Sequence, residues 1–364
     1  MQLNFVIRCP SRLKIDFFVT APTSTGVTDS IPVSPPNYMM DKSEINTGGA
    51  LTEKDIHTLP EENTYGGITS FLRRPYHKDL SHMDAAVIGV PFDTATTNRP
   101  GARFGPRNIR IASTNLAFGT CVYGWDFHPI REMRICDHGD LPLDFAQPAN
   151  VPAQIEQYVS WMLNQNVMVM ALGGDHFISW PLIRAHAKKH GKPISLIHFD
   201  AHSDTWPDEH TDGINHGTMF WHATQQGYID PATSVQIGVR TDNQNTLGFN
   251  ILDGPWVQHH GPSGVIEQIH QTIGSNKAYL TFDIDCLDPA YAPGTGTPVC
   301  AGLTTGQARE ILHGLSGINI IGADLTEVAP AYDHAEITAL AGATLALDFL
   351  CLFATAPWRR STHP

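Results

Sequence analysis

The chain has no C-x-x-C pair. Its cysteines, Cys9, Cys121, Cys136, Cys286, Cys300 and Cys351, are scattered, which argues against a thiolate zinc site and against a disulfide framework. Charge is also sparse: Asp, Glu, Lys and Arg make up 16% of 364 residues, little for the surface of a free monomer, so an oligomer is expected to cover part of it. Basic residues are outnumbered 36 to 23, for a net charge of −13. That balance disfavours nucleic acid and anionic membranes as partners and suits a small cation. No uninterrupted apolar run reaches transmembrane length, and the longest apolar stretches read as short and strand-like. A soluble protein of a reducing, cytoplasmic compartment is expected. The PGTGTP run at 293–298 lacks the Lys-Ser/Thr of a phosphate-binding loop, leaving a shaped active-site loop as the better reading.

What is present divides the chain unevenly. Ser, Thr, Pro and Gly dominate from Ala21 to Ala50, so residues 1–60 read as a poorly ordered extension. Arg8, Arg12 and Lys14 suggest a transit peptide, but Asp16 and the lack of an amphipathic period count against it. Residues 61–357 read as one catalytic domain and 358–364 as a tail. Apolar residues at 41% suffice for a large core. Strands are expected at Ala85–Val90, Met133–Cys136, Val167–Leu172, Ile194–Phe199, Ser234–Val239, Ala278–Asp283 and Ile318–Ala323. Helices are expected at Ala153–Asn164, Phe177–Lys189, Ser263–Ile273, Thr305–Leu315 and Ile337–Leu352. Apolar runs without period-two alternation, with helices between them, indicate a parallel sheet in a three-layer α/β/α arrangement.

Two segments carry the chemistry, HFDAHSD at 198–204 and TFDIDCLDP at 281–289. Asp200, His202 and Asp204 recur every second residue, as do Asp283 and Asp285, which in extended backbone sets each group on one face. Both segments follow strands, where open parallel sheets bind ligands. An oxygen-rich donor set with few nitrogens leans toward manganese, with zinc, nickel and iron still open. GGDHF at 173–177 brings His176 to a third strand end, with Asp175 read as a helix cap. His198 reads as support for its neighbours, Asp288 as a turn former and Asp324 as a loop support. Arg99, Arg103, Arg107 and Arg110 read as interface or loop-locking ion pairs without chemistry.

GGDH, DAHSD and TFDID resemble the three metal-binding motifs of the ureohydrolase superfamily, to which arginases and agmatinases belong. The resemblance extends to TTNRPGARFGP at 96–106, QIGVR at 236–240, LDPAYAPGTGTPVCAGLT at 287–304 and DLTEVAPAYD at 324–333, and covers roughly residues 65–355. It is strongest to agmatinases. It implies a three-layer sandwich on a mainly parallel eight-stranded sheet, a trimer or hexamer, and two divalent metal ions per subunit, manganese by preference. One ion would take His176, Asp200, Asp204 and Asp283, the other Asp200, His202, Asp283 and Asp285. Two such ions, held on the order of 3.5–4 Å apart, share a hydroxide that attacks the guanidinium carbon. The resemblance further assigns proton relay to Asp204 and proton handling at the pocket mouth to His216, beside Asn215 at the substrate. It assigns pairing with the substrate guanidinium to Glu327.

The 205–215 loop contains Asp208, Glu209 and Asp212 but no Lys or Arg, which favours an amine tail over a carboxylate tail. Agmatine, hydrolysed to putrescine and urea, is the expected substrate. Guanidinobutyrase or arginase activity is the alternative; a metal-dependent deacylase or a non-catalytic metal-binding relative stands further off.

Overall fold

The computed structural model describes residues 65–119, 121–208 and 215–357. The expected extension at 1–60 and tail at 358–364 lie outside them, as do Glu209 and Asp212. Eight strands form a single sheet: β1 (Ala85–Val90), β2 (Ile135–Asp140), β3 (Met168–Gly173), β4 (Ser195–Phe199), β5 (Val235–Ile237), β6 (Asn250–Leu252), β7 (Ala278–Asp283) and β8 (Ile320–Thr326). Their order is β2-β1-β3-β8-β7-β4-β5-β6, and every pairing is parallel. β1, β3, β4, β7 and β8 are buried along their whole length, as expected of strands covered on both faces.

The helices are α1 (Gly105–Ser113), α2 (Pro129–Glu132), α3 (Val151–Leu163), α4 (Ser179–His190), α5 (Met219–Gln225), α6 (Gly254–Ile273), α7 (Thr305–Gly314) and α8 (Ile337–Thr355). Two apolar cores separate them. Ile155, Val159, Leu182, Ile183 and Phe220 bring α3, α4 and α5 onto one face of the sheet. Ile109, Ile269, Ile311 and Phe349 bring α1, α6, α7 and α8 onto the other. The result is the three-layer α/β/α sandwich. Phe199 on β4 and Phe282 on β7 stack with centroids 4.9 Å apart; each buried ring contributes roughly 1.5–3 kcal/mol.

Three expectations need correction. β6 was not anticipated, because a three-residue edge strand with a half-buried Asn250 carries no apolar run. α6 begins nine residues before Ser263: Asp253 caps it by accepting from Trp256 N–H at 2.8 Å, and a kink at Gly261, φ 66°, hides its continuity. The longest apolar stretch is not strand-like. α8 has 19 residues and a mean hydropathy of 2.0, long and apolar enough by composition to cross a membrane, but 78% of that window is buried inside the protein. Its Asp348 is fully paired, accepting from Arg309 Nε at 2.8 Å, Trp125 Nε1 at 2.9 Å and His313 Nε2 at 3.2 Å, which ties the helix to α7.

Candidate metal centre

Four neighbouring strands, β3, β8, β7 and β4, end at one edge and deliver side chains there. Asp283 closes β7 opposite Thr326 of β8, so Glu327 emerges beside it. His176 follows β3 through Gly173 and Gly174, and Asp200 follows β4 directly. At Gly174 a Cβ would collide with the Phe92 carbonyl oxygen; the missing side chain lets this turn pass under the β1 loop, and Gly174 O then accepts from Glu327 N–H at 2.8 Å.

The ligand segments do not converge by strand alternation as expected. β4 stops at Phe199, Asp204 has φ 52°, and Asp285 lies in a 3-10 turn over Ile284–Cys286. Each leading carboxylate draws its own chain around: Asp200 Oδ1 accepts from His202 N–H at 2.7 Å and Asp283 Oδ1 from Asp285 N–H at 2.8 Å. Asp side chains favour such turns. The turns, rather than the pleat, aim the alternate residues inward.

Two clusters result. His176, His198, Asp200 and Asp204 offer donor atoms within 4.8 Å of one another, as do Asp200, His202 and Asp285. His176 Nδ1 lies 2.9 Å from Asp200 Oδ2, 3.0 Å from Asp204 Oδ2 and 3.3 Å from Asp283 Oδ2. His202 Nδ1 is 3.2 Å from both Asp200 Oδ1 and Asp285 Oδ2. All six residues expected as ligands thus meet at one sheet edge, with Asp200 shared by both clusters and Asp283 slightly further out.

His198 belongs to the first cluster by position only. Its Nε2–H donates to Asp200 Oδ2 at 2.8 Å and its Nδ1 accepts from Gln236 Nε2 at 3.0 Å, so both nitrogens are committed. Burial lowers its pKa to about 4, consistent with a neutral ring.

A cation fits the donor set, on the tautomer of His176. Thr281 O–H donates to Asp324 Oδ1 at 2.5 Å, so Thr281 Oγ1 accepts from His176 Nε2–H at 2.8 Å. His176 Nδ1 then faces three carboxylates; burial opposes a charge on the ring, but the hydrogen bonds to Asp200, Asp204 and Asp283 outweigh it and push its pKa well above the usual range. Three carboxylates around one ring nitrogen require a positive charge among them, either a proton on Nδ1 or a metal ion bound to its lone pair. Without metal the cluster holds protons instead: burial, then the charges of Asp285 and Asp200, push Asp283 well above the usual carboxylate range, and burial, then Asp200, push Asp204 up to about 7. Divalent ions displace such protons.

Beyond the clusters, Glu327 is fully buried, with φ 62°. A non-glycine residue is held there only at a cost of order 1–3 kcal/mol. Its Oε1 accepts from His176 N–H at 3.0 Å and from His216 Nδ1–H at 2.9 Å, and its Oε2 has no partner. His216 is pulled two ways. Burial opposes its charge, but Glu327 outweighs that and pushes its pKa up to about 9. Thr97 N–H, however, points at Nε2 at 3.1 Å, with Thr97 Oγ1 at 2.8 Å. A backbone donor cannot turn away, so the Thr97 contact favours a lone pair on Nε2 while the charge of Glu327 favours the protonated ring, and a proton on Nε2 requires the Thr97 contact to open.

A cleft of about 300 Å³ opens onto this edge, lined by His202, Asp204, Asp283, His216, Asn215, Trp206, Thr97 and Thr297. A larger, open depression of about 440 Å³ lies at the opposite ends of β4 and β7, near Pro193 and Lys277, away from the carboxylate cluster. Asn215 sits in the cleft wall with its Oδ1 accepting from Gly217 N–H at 2.8 Å.

Several sequence readings change or sharpen here. Asp175 does not cap the helix; its Oδ2 accepts from Ala95 N–H at 2.8 Å instead, holding the β1 loop. Asp208 does not face the cleft: its Oδ2 is 3.0 Å from His222 Nε2 of α5. Asp288 does shape its turn, accepting from Ala290, Ala301 and Gly302 N–H. Arg103 pairs with Asp93, and Arg110 with Asp137 at 2.8 Å, locking the loop and α1 respectively. Thr97, Thr281, Thr297, Trp206 and Gln236 were not singled out. Thr281 shares the parity of Asp283 in TFDID, and Gln236 is a polar residue inside an apolar run; both are signals that sequence reading can use.

A sequence model of the arginase family matches residues 83–351. The agmatinase of Chromobacterium violaceum is 47% identical over 86% of this chain and 97% of its own length. That of Photorhabdus laumondii is 48% identical over 84% and 99%. A crystal structure of a hypothetical agmatinase from Burkholderia thailandensis superposes with a TM-score of 0.80 at 51% identity, covering 83% of this chain and 94% of that one. Proclavaminate amidino hydrolase from Streptomyces clavuligerus gives 0.77 at 33%, covering 81% and 100%. Matched along most of its length by family, sequence relatives and fold, with six ligand-type side chains at one sheet edge, the chain belongs to the arginase family as an agmatinase-like ureohydrolase.

Proposed function

We propose that residues 61–357 form a catalytic domain that hydrolyses agmatine to putrescine and urea at a two-metal centre. The observation that carries the reading is the buried Oε2 of Glu327, without a partner among the described residues, on a side chain whose Oε1 accepts from His176 N–H at the edge of the carboxylate cluster. A guanidinium is a planar donor that meets a carboxylate through parallel hydrogen bonds. One cation-seeking oxygen at the edge of a carboxylate cluster suits it.

His176, Asp200, Asp204 and Asp283 would hold one ion, and Asp200, His202, Asp283 and Asp285 the other, with manganese favoured by the oxygen-rich set. Two bound divalent ions supply water ionised near neutral pH and a positive field across the reacting carbon. Glu327 orients the guanidinium so that this carbon faces Asp204. As the bond from carbon to the tail nitrogen breaks, that nitrogen needs a proton to leave. Asp204 carries it, and His216 exchanges protons between the pocket and the cleft mouth.

Agmatine is supported by the names of the relatives and by the cleft wall, which has no Lys or Arg among its described residues to receive a carboxylate tail. The pairing of Asp208 with His222 removes it from that argument. Asn215 stands at the substrate as a wall residue. A homo-oligomer, trimer or hexamer, agrees with the sparse charge and with exposed Phe104, Ile337 and Leu340. Urea release from agmatine, arginine, 4-guanidinobutyrate and guanidine, measured side by side, tests the substrate. Agmatine should be turned over fastest; faster turnover of 4-guanidinobutyrate would refute the assignment.

A further inference from the structure

The QIGVR segment at 236–240 takes no part in the chemistry above, yet its last residue reaches both ligand-bearing turns. Arg240 N–H donates to Ala201 O at 2.9 Å, the carbonyl between Asp200 and His202. Its guanidinium donates to Asp285 O at 2.7 Å, to Val299 O at 2.7 Å and to Cys300 O and Gly238 O at 3.1 Å. Longer bonds of 3.3 Å run to Cys286 O and Leu287 O. The two turns also touch directly, through Ala201 N–H and Asp285 Oδ1 at 3.1 Å. Gly302 makes the space: a Cβ there would lie 2.7 Å from the Arg240 Nη2 atom.

The side-chain bonds concern one side of the centre, since Asp285 belongs to the second cluster alone. The bond to the turn of the shared Asp200 comes from the Arg240 main chain and survives substitution of the side chain. Asp200, His202 and Asp285 form the second cluster, whereas His176 in the first is held by Thr281 and Asp324 on β7 and β8. Turn carbonyls resist alignment toward a common point because their dipoles repel. A fixed, planar, permanently charged fork overcomes this and makes the loop rigid; a lysine, a single mobile point charge, cannot engage as many acceptors.

We infer that Arg240 is a positioning residue for one metal subsite: its guanidinium fixes the turn that carries Asp285 beside the Asp200–His202 turn, leaving the His176 side to its own supports. The assignment rests on the two-metal reading. It predicts a selective loss, because supports behind metal ligands typically tune affinity 10- to 100-fold without touching the ion.

The test is calorimetric titration of the metal-free full chain with manganese(II) chloride, for wild type, R240A and R240K, with circular dichroism to check folding. Wild type should take up two ions. R240A should lose about 10- to 100-fold in affinity for one of them and less than twofold for the other. R240K should show a smaller loss in the same step. With two equivalents of metal, the exchange-coupled manganese spectrum of the wild type should give way to that of uncoupled ions in R240A. Equal weakening of both steps, or no weakening, would overturn the assignment while leaving the two-metal reading intact. If R240A does not fold, R240K is judged by the same two outcomes. A wild type that binds only one ion would overturn both.

Discussion

Replacing Glu327 by Gln tests the substrate pose with almost no change of shape. In the wild type Oε1 already serves two donors, His176 N–H and His216 Nδ1–H, at 3.0 and 2.9 Å. A Gln side chain must keep its carbonyl oxygen there, since an amide NH2 would face two donors. Its NH2 group therefore takes the place of Oε2, the atom without a partner. The guanidinium, which is donor-only, then meets donors where it met a negatively charged acceptor. Losing one partner of a buried charge pair costs about 3–5 kcal/mol, and each 1.4 kcal/mol is tenfold. The expected loss in kcat/KM for urea release is therefore roughly two to three and a half powers of ten. Manganese content should not fall, because Glu327 lies outside both ligand clusters. The folded state should not weaken either, since the variant removes a buried charge and keeps its hydrogen bonds. A loss below about fivefold, with normal metal content and melting temperature, would show that the guanidinium does not sit on Glu327.

Other outcomes follow from the same structure. Thr281→Val keeps volume but leaves His176 Nε2–H and Asp324 Oδ1 without their partner; thermal unfolding should register a loss of about 1–3 kcal/mol, and manganese affinity should drop by about 10- to 100-fold. Asp208→Asn should change KM for agmatine by less than about twofold, as befits a carboxylate turned to His222; a large rise in KM would restore the acidic-loop argument. Stability should fall in acid well away from the metal centre. Burial lowers His186 to about 3 and His128 to about 4, so each ring is neutral in the fold and takes up protons below 6.5 only when unfolded. Their contribution is complete above pH 6.5 and declines as pH drops toward those values, by about 2 kcal/mol each at pH 5. Denaturation of His186→Leu across pH 5 to 7 should show a shallower slope than the wild type; an unchanged slope would refute the role of His186.

What the sequence could disclose depended on whether an element's cause is local. The strands at 85–90 and 278–283 were legible because both faces are covered, leaving unbroken apolar runs. β6 was not, being three residues at the sheet edge. The first half of α6 was hidden by Gly261 and Pro262, whose cost is offset by packing of Val257 and Val265 in the core. α8 was legible as a helix but not as the core's most apolar element, because Asp348 is intelligible only with Arg309, 39 residues away. In the site, the six ligand-type residues stood out by type and spacing. Their means of convergence did not: alternation suggests a pleat, and only coordinates show carboxylates curling their own backbones. The second ring of contacts was harder still. Arg240 reaches carbonyls 59 residues on, and the pairing of Asp208 with α5 turned an apparent substrate contact into a structural one.

Metal stoichiometry against turnover is the most direct measure of the two-metal centre. The chelated protein, reconstituted stepwise with manganese and assayed for urea release from agmatine, should gain full activity only as the second ion per chain is bound. Full activity with fewer than two ions bound would contradict the two-metal centre.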